Sequence, residues 1–378
     1  MADQHHRRRK LPPALRAVLV GVLLYLFLVG VGLLENGIAA LGEGFQAGLL
    51  EQVSNPLSGL FAGILATVLV QSSSVSTATI VGLVGAGTLS VEFAVPMIMG
   101  ANIGTTVTNT LAALGNVRRS EEFRRGFAGA TVHDVFNVMA VIVLLPLELA
   151  FGLLSRPAIA LSGVLRGGEV AAPGQSPIRA AVKAPVDAFN ALIDPSAAGG
   201  VLIGIILLGT GLALIFVALG TITRNMRLLV AGSMERAMNR LVGRGGGAMG
   251  ILVGIGVTVA VQSSTITTSI LVPLVAAGIL TLRNAYPITL GANVGTTITA
   301  LLASLAVVRP EGLTIALVHT MFNLTALALI YPVPAVRYIP VTVAERLAAA
   351  ATEHRSLIVA YVAGLFLVVP LLGIFFLD

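Results

Sequence analysis

Long apolar runs alternate with short basic clusters along most of this chain, and two of the runs carry a line of hydroxyls and amides near their middle. The stretches 17–34, 127–150, 198–221, 313–331 and 357–377 are close to the ~20 apolar residues that cross a bilayer core, and each predicts a spanning helix. The stretches 57–89 and 247–280 are also apolar but are interrupted by the polar positions 71–77 and their counterparts at 262–268. Each predicts a re-entrant hairpin, because non-helical backbone at membrane depth is tolerated only where it is buried or lines a wet cavity. The stretches 93–117 and 285–308 span too, but Gly-Ala-Asn-x-Gly at 100–104 and 291–295 is expected to break them. Residues 151–198 are the least apolar part and carry Pro157, Pro173, Pro177, Pro185 and Pro195, which reads as a linker between two halves.

The two halves repeat one another. Val70-Gln71-Ser72-Ser73-Ser74 returns as Val261-Gln262-Ser263-Ser264-Thr265, an offset of 191 (71 to 262). Gly100-Ala101-Asn102-Ile103-Gly104-Thr105-Thr106 returns at the same offset as Gly291-Ala292-Asn293-Val294-Gly295-Thr296-Thr297. The hydroxyls and amides persist while the aliphatics drift, which points to a two-fold site of uncharged polar groups. Packing and interhelical hydrogen bonding explain a single Gln-Ser-Ser well enough. They do not require the same interrupted polar segments in both halves.

Composition sets the class. Charged residues are 11% and hydrophobic residues 56% of the chain, too few charges to clothe a soluble domain. The expected fold is an all-α polytopic membrane protein. The excess of basic residues, net +6, lies in clusters at 5–10, 118–125 and 224–244 between apolar runs, not on one face. These are positive-inside topology signals and argue against nucleic acid as a partner. The run 17–34 follows basic residues but is too long, and lacks a clear small-residue cleavage site, to be a signal peptide; a retained first helix with a cytoplasmic N-terminus is expected. With no cysteine in the chain, disulfides and thiol chemistry are excluded.

Three crossings separate equivalent points of the two repeats. An odd count makes the repeats inverted, which predicts two halves related by an axis in the membrane plane, with Gln71 and Gln262 meeting near mid-depth. The expected divisions are 1–150, with hairpin 57–89 and broken helix 93–117; an extracytoplasmic linker at 151–198; 199–332, with hairpin 247–280 and broken helix 285–308; and 333–378, a cytoplasmic segment and last helix.

Within 57–117 the only ionisable residue is Glu92, and within 247–308 the only ones are Arg283 and Tyr286. No carboxylate dyad, histidine metal cluster or Ser/His/Asp triad can be assembled from them, so an enzyme is not expected and no cofactor is implied. Hydroxyls, amides and the freed backbone of interrupted helices remain. Helix N-termini attract anions. Unwound carbonyls and helix C-termini attract small cations, and an anion beside a cation relieves the desolvation of both. The residues expected on an anion are Ser72, Ser73, Ser74, Asn102, Ser263, Ser264, Thr265 and Asn293, with no arginine or lysine in contact. His133 and Asn137, repeated as His319 and Asn323, lie four apart on one helical face and are read as bonding a neighbouring helix or hairpin. Asp134 has no counterpart and is expected near the cytoplasmic end, pairing with Arg124 or Arg125. Glu92 and Arg283 read as interfacial residues.

These motifs, together with Glu122-Phe123-Arg124-Arg125-Gly126-Phe127-Ala128-Gly129-Ala130-Thr131-Val132-His133-Asp134, closely resemble the type II sodium-dependent phosphate cotransporters and their bacterial relatives. The resemblance covers roughly 57–150 and 247–332. It implies phosphate and sodium as ligands at the Gln-Ser-Ser regions, an extracellular linker, and a multi-pass protein of the cell membrane, with a homodimer among the assemblies open to it. Sodium is then expected at Gln71, Thr77, Thr105, Thr106, Gln262, Thr268, Thr296 and Thr297, as coupling ion and not as cofactor. Electrogenic vertebrate members carry an aspartate just before the Ser-x-x-Phe-Arg-Arg stretch. Here the neighbourhood reads Asn116-Val117-Arg118-Arg119-Ser120, which favours an electroneutral cycle. The expected function is sodium-coupled uptake of inorganic phosphate by alternating access. Transport of another small oxyanion, or a phosphate exporter or anion channel, is the rival reading.

Overall fold

The computed structural model describes residues 12–42, 55–114, 120–165, 177–192, 200–241 and 247–377, and every regular element among them is helical. The basic cluster at 5–10, the Arg118–Arg119 neighbourhood and linker positions 166–176 and 193–199 lie outside the described residues. In chain order the helices are α1 (Pro13–Ala40), α2 (Pro56–Val70), α3 (Ser73–Gly85), α4 (Val91–Gly104), α5 (Val107–Ala113), α6 (Ser120–Phe151), α7 (Ser155–Leu165), α8 (Pro177–Leu192) and α9 (Gly200–Leu241). They continue as α10 (Gly247–Val261), α11 (Ser264–Ala276), α12 (Leu282–Ser304), α13 (Pro310–Ile330), α14 (Pro334–Arg337), α15 (Ile339–Glu353), α16 (Ser356–Ala363) and α17 (Val369–Leu377). A π-helical turn, Gly364–Val368, joins the last two.

Among the described residues, five helices are long and apolar enough to cross a membrane: Ala14–Ala40, Ser120–Phe151, Gly200–Met226, Pro310–Ile330 and Ser356–Leu377. Away from their charged ends, large apolar side chains stand exposed, as at Val201, Ile205 and Val217 on α9 and Leu371, Phe375 and Phe376 on α17. Apolar side chains over whole outer faces are what a lipid solvent selects. The protein is a multi-pass helical membrane protein.

Both hairpins form where the apolar runs are interrupted: α2 turns into α3 at Gln71, and α10 into α11 at Gln262. The linker is helical in part, with α7 packed on α13 and α8 on α1.

The helices expected to be broken behave differently from one another. In the first half α4 runs through Gly100–Gly104 unbroken and ends only at Thr105, with α5 beginning at Val107. In the second half α12 is continuous for 23 residues through Gly291–Gly295. The expected interruption of 285–308 is therefore absent, and that of 93–117 falls at Thr105–Thr106, past the glycines. The glycines serve close helix contact. A Cβ on Gly100 would lie 2.0 Å from the carbonyl oxygen of Leu60, and one on Gly291 would lie 2.0 Å from that of Ile251. Across the same contacts, Gly63 faces the Met97 carbonyl and Gly254 that of Ile288, each at 2.1 Å from a built Cβ. Small residues on facing helices let backbones touch, which drives helix association inside a membrane.

The halves are interlocked. The hairpin's entering helix packs within its own half, α2 on α4 and α10 on α12, whereas the returning helix packs both on its own half and on the other. Thus α3 lies against α12 and α13, and α11 lies against α5 and α6. The last segment wraps the outside, α15 along α6 and α17 along α2.

Candidate functional site

The two hairpin tips have the same construction. Gln71 (φ 57°) and Gln262 (φ 56°) are the only non-glycine residues with positive φ among those described. A left-handed glutamine costs on the order of 1 kcal/mol and persists only where its surroundings hold it. Here each side chain clamps its own tip. The Gln262 amide donates to the Val259 carbonyl at 2.6 Å and its oxygen accepts from the Thr299 hydroxyl at 2.9 Å. At the first tip the Gln71 amide donates to the Val68 carbonyl, and its oxygen accepts from Thr108 at 2.6 Å. All three members of each set are offset by 191 (68 to 259, 71 to 262, 108 to 299), so the sequence repeat carries a repeated geometry.

The next residue caps the returning helix. The Ser72 and Ser263 hydroxyls accept from the backbone N–H groups of Val75 and Ile266, each at 3.4 Å. Both helices therefore begin at the tips with their unpaired first-turn N–H groups and the positive end of the dipole. The tips touch one another: the Ser74 hydroxyl donates to the Gln262 carbonyl at 3.1 Å. The short α5 docks on the second returning helix, where Asn109 donates to Thr268 at 2.5 Å and accepts from Ser269 at 2.7 Å. Gln71 is exposed, whereas Gln262, Ser73, Ser74 and Ser264 are buried; Ser72, Ser263 and Thr265 are half-buried.

Behind the tips lies a layer of amides and imidazoles, exchanged between halves. Asn293 on α12 donates to Asn137 at 2.7 Å and accepts from His133, both on α6. Asn102 on α4 accepts from Asn323 of α13 at 3.4 Å at its side-chain oxygen, and from Asn137 at 2.8 Å at its carbonyl. The His-x-x-x-Asn pairs thus bond neighbouring helices, as their spacing suggested. The two sides are not equally satisfied, since both ring nitrogens of His319 and the Asn323 oxygen make no hydrogen bond within the described protein. Those atoms offer donors and acceptors to a polar guest.

The threonines singled out as cation ligands, Thr77, Thr105, Thr106, Thr268, Thr296 and Thr297, are all buried. Each donates its hydroxyl to a backbone carbonyl three or four residues back, at 2.8–3.3 Å. With the proton so directed, lone pairs on these oxygens remain available to a cation, except that one on Thr268 accepts from Asn109. Arg283 lies away from this cluster, exposed, its guanidinium 5.0 Å from the Tyr338 ring centre. Glu92 is exposed at the first turn of α4.

Asp134 is the residue that sequence reasoning misplaced. It is buried in the core of α6, not at an arginine: Arg124 pairs with Glu121 at 3.1 Å, and Arg125 donates to the Ala276 carbonyl at 3.0 Å. Its Oδ2 accepts from Tyr361 at 2.5 Å and from Thr110 at 3.5 Å, with Thr106 close to the same carboxylate. Its Oδ1 makes no hydrogen bond within the described protein. The carboxylate therefore stands behind the Thr105–Thr106 turn, where α4 gives way to α5. An ionisable residue in mid-span was the available signal, but the basic residues nearby in sequence suggested an interfacial pair instead.

Two hairpin tips that meet between the halves of a helical membrane protein, among hydroxyls and amides with one buried carboxylate at Asp134, are an arrangement suited to a transporter of small ions. The sequence matches the Na+/Pi-cotransporter family over residues 26–155 and 214–333, and the chain belongs to that family. It is similar to sodium-dependent phosphate transport protein 2A of Ovis aries, 33% identical over 427 aligned residues covering 94% of this chain and 67% of the relative. Protein 2A of Rattus norvegicus is 32% identical, covering 92% and 65%, and protein 2B of Homo sapiens is 32% identical, covering 94% and 64%. The chain spans about two thirds of the length of these relatives. No solved structure matches it.

Proposed function

We propose that this chain is a secondary active transporter that couples sodium movement to the uptake of inorganic phosphate. The observation that carries the reading is the Ser74–Gln262 contact, which brings the N-termini of α3 and α11 together at one place between the halves. Two helix N-termini with serine hydroxyls and nearby asparagines suit an oxyanion, and no basic side chain is needed. Phosphate is assigned to Ser72, Ser73, Ser74, Asn102, Ser263, Ser264, Thr265 and Asn293. The relatives' printed names, which state sodium dependence and phosphate, support the same pair of ligands.

Sodium is assigned to oxygen groups flanking the tips: Gln71, Thr77, Thr105, Thr106, Gln262, Thr268, Thr296 and Thr297. Asp134 joins them, since its unpartnered carboxylate oxygen adjoins Thr106 and a buried carboxylate calls for a cation. It supplies an acid that the 116–120 neighbourhood lacks. Sodium here is cargo and coupling ion.

The halves are taken as inverted repeats, on the odd number of crossings between them, with the N-terminus cytoplasmic, the 151–198 linker outside and the protein in the cell membrane. Movement of one interlocked unit against the other would expose the tips to each side in turn. The deciding experiment is phosphate uptake into proteoliposomes with and without an inward sodium gradient. Gradient-driven accumulation is expected. Sodium-independent flux without accumulation would overturn the reading in favour of an exporter or channel, and stronger competition by sulfate or arsenate than by phosphate would reassign the substrate.

A further inference from the structure

The polar centre receives one group from outside both repeats. The matched family segments end at 333, yet Tyr361 on α16 reaches Asp134. Its ring is wedged edge-on between Phe127 of α6 and Phe366, with centroids at 6.2 and 6.1 Å. Three residues further on the helix widens into the π-turn Gly364–Val368, an irregularity that recurs at functional sites because it redirects the side chains around it.

We infer that Tyr361 is a positioning residue for the coupling cation. The inference rests on the reading of Asp134 as a cation ligand. A buried carboxylate that must bind and release an ion needs a fixed orientation, which a hydrogen bond to the non-ligating oxygen supplies. The Tyr361 hydroxyl, with Thr110, holds Oδ2 and leaves Oδ1 as the oxygen offered to the cation. Aromatic packing on both sides fixes the phenol, so the carboxylate is oriented before the ion arrives. A purely structural role, in which the phenol only satisfies a buried acid and ties down the last helix, predicts the same contact but no ion-specific effect.

Tyr361→Phe separates the two, because it keeps the ring and removes one oxygen. Uptake by proteoliposomes should show half-saturating sodium raised roughly tenfold, the loss expected for one hydrogen bond to a charged group. The half-saturating phosphate concentration at saturating sodium should be unchanged. In detergent, the sodium-induced rise in melting temperature should shrink while the sodium-free melting temperature stays near that of the parent, a readout that needs no transport. Unchanged sodium dependence and unchanged sodium protection in Tyr361→Phe would overturn the assignment, as would a loss of stability equal with and without sodium. Asp134→Asn, measured alongside, tests the underlying reading: sodium dependence that survives in that variant removes Asp134 from the ion site, whatever Tyr361→Phe does.

Discussion

The Ser74 hydroxyl donates to the Gln262 carbonyl at 3.1 Å and so joins the returning helix of one hairpin to the tip of the other. Residues 188 positions apart share a bond at the point where two helix N-termini converge. Gln262 holds its left-handed backbone with its carbonyl in this contact and its side chain tied to Val259 and Thr299.

Ser74→Ala should weaken phosphate binding. Loss of one net hydrogen bond, about 1 kcal/mol, corresponds to roughly a fivefold rise in half-saturating phosphate. Ser74→Thr should recover much of the affinity because the hydroxyl is retained. Uptake kinetics of the three proteins check this, and an alanine variant with parental affinity would show that the tip contact is not coupled to the substrate.

Gln262→Val should lose more stability than Gln262→Gly. The left-handed conformation adds about 1–2 kcal/mol for a β-branched side chain and little for glycine, while both variants lose the same clamp. Melting temperatures in detergent provide the comparison. Equal values would mean that the backbone relaxes out of the left-handed region.

Gly291→Ala should destabilise by about 1–3 kcal/mol or more, since the added methyl meets the Ile251 carbonyl at 2.0 Å and that backbone cannot move aside cheaply. Gly256, in α10 with nothing within 4 Å of a built Cβ, is the control. Gly256→Ala should be neutral or stabilising by up to about 1 kcal/mol. Folded yield and melting temperature report both.

Sodium should raise phosphate affinity, and phosphate should raise sodium affinity by the same factor, because linkage between two bound ligands is reciprocal. A polar centre with a single buried carboxylate makes each ion the partner that offsets the other's desolvation. Equilibrium binding of each ligand at several concentrations of the other measures the two factors. Affinities that do not move together would separate the sites.

Much of the fold was legible because it depends on solvent preference and local rules. Apolar length gave the spanning helices, and the 191-residue echo gave two equivalent hairpins with tips at Gln71 and Gln262. Serines after each glutamine were legible as a polar tip, since a hydroxyl there caps the helix that follows. Glycine was ambiguous. Gly100 and Gly291 read as breaks, but glycine both loosens a helix and lets another backbone approach, and only the facing carbonyls of Leu60 and Ile251 show which applies.

The sequence by itself determined the membrane class, the repeat and the residue types of the polar centre, because each follows from composition and spacing along the chain. Only the tertiary structure decided that each returning helix packs on the opposite half, that Asn293 meets His133 and Asn137, and that Asp134 lies under Tyr361 and away from Arg124 and Arg125. Contacts between residues more than a hundred positions apart depend on how whole helices pack, and no local periodicity encodes them. A lone aspartate in a span must find a donor somewhere in the core, and here the shorter of its two bonds comes from a helix outside both repeats.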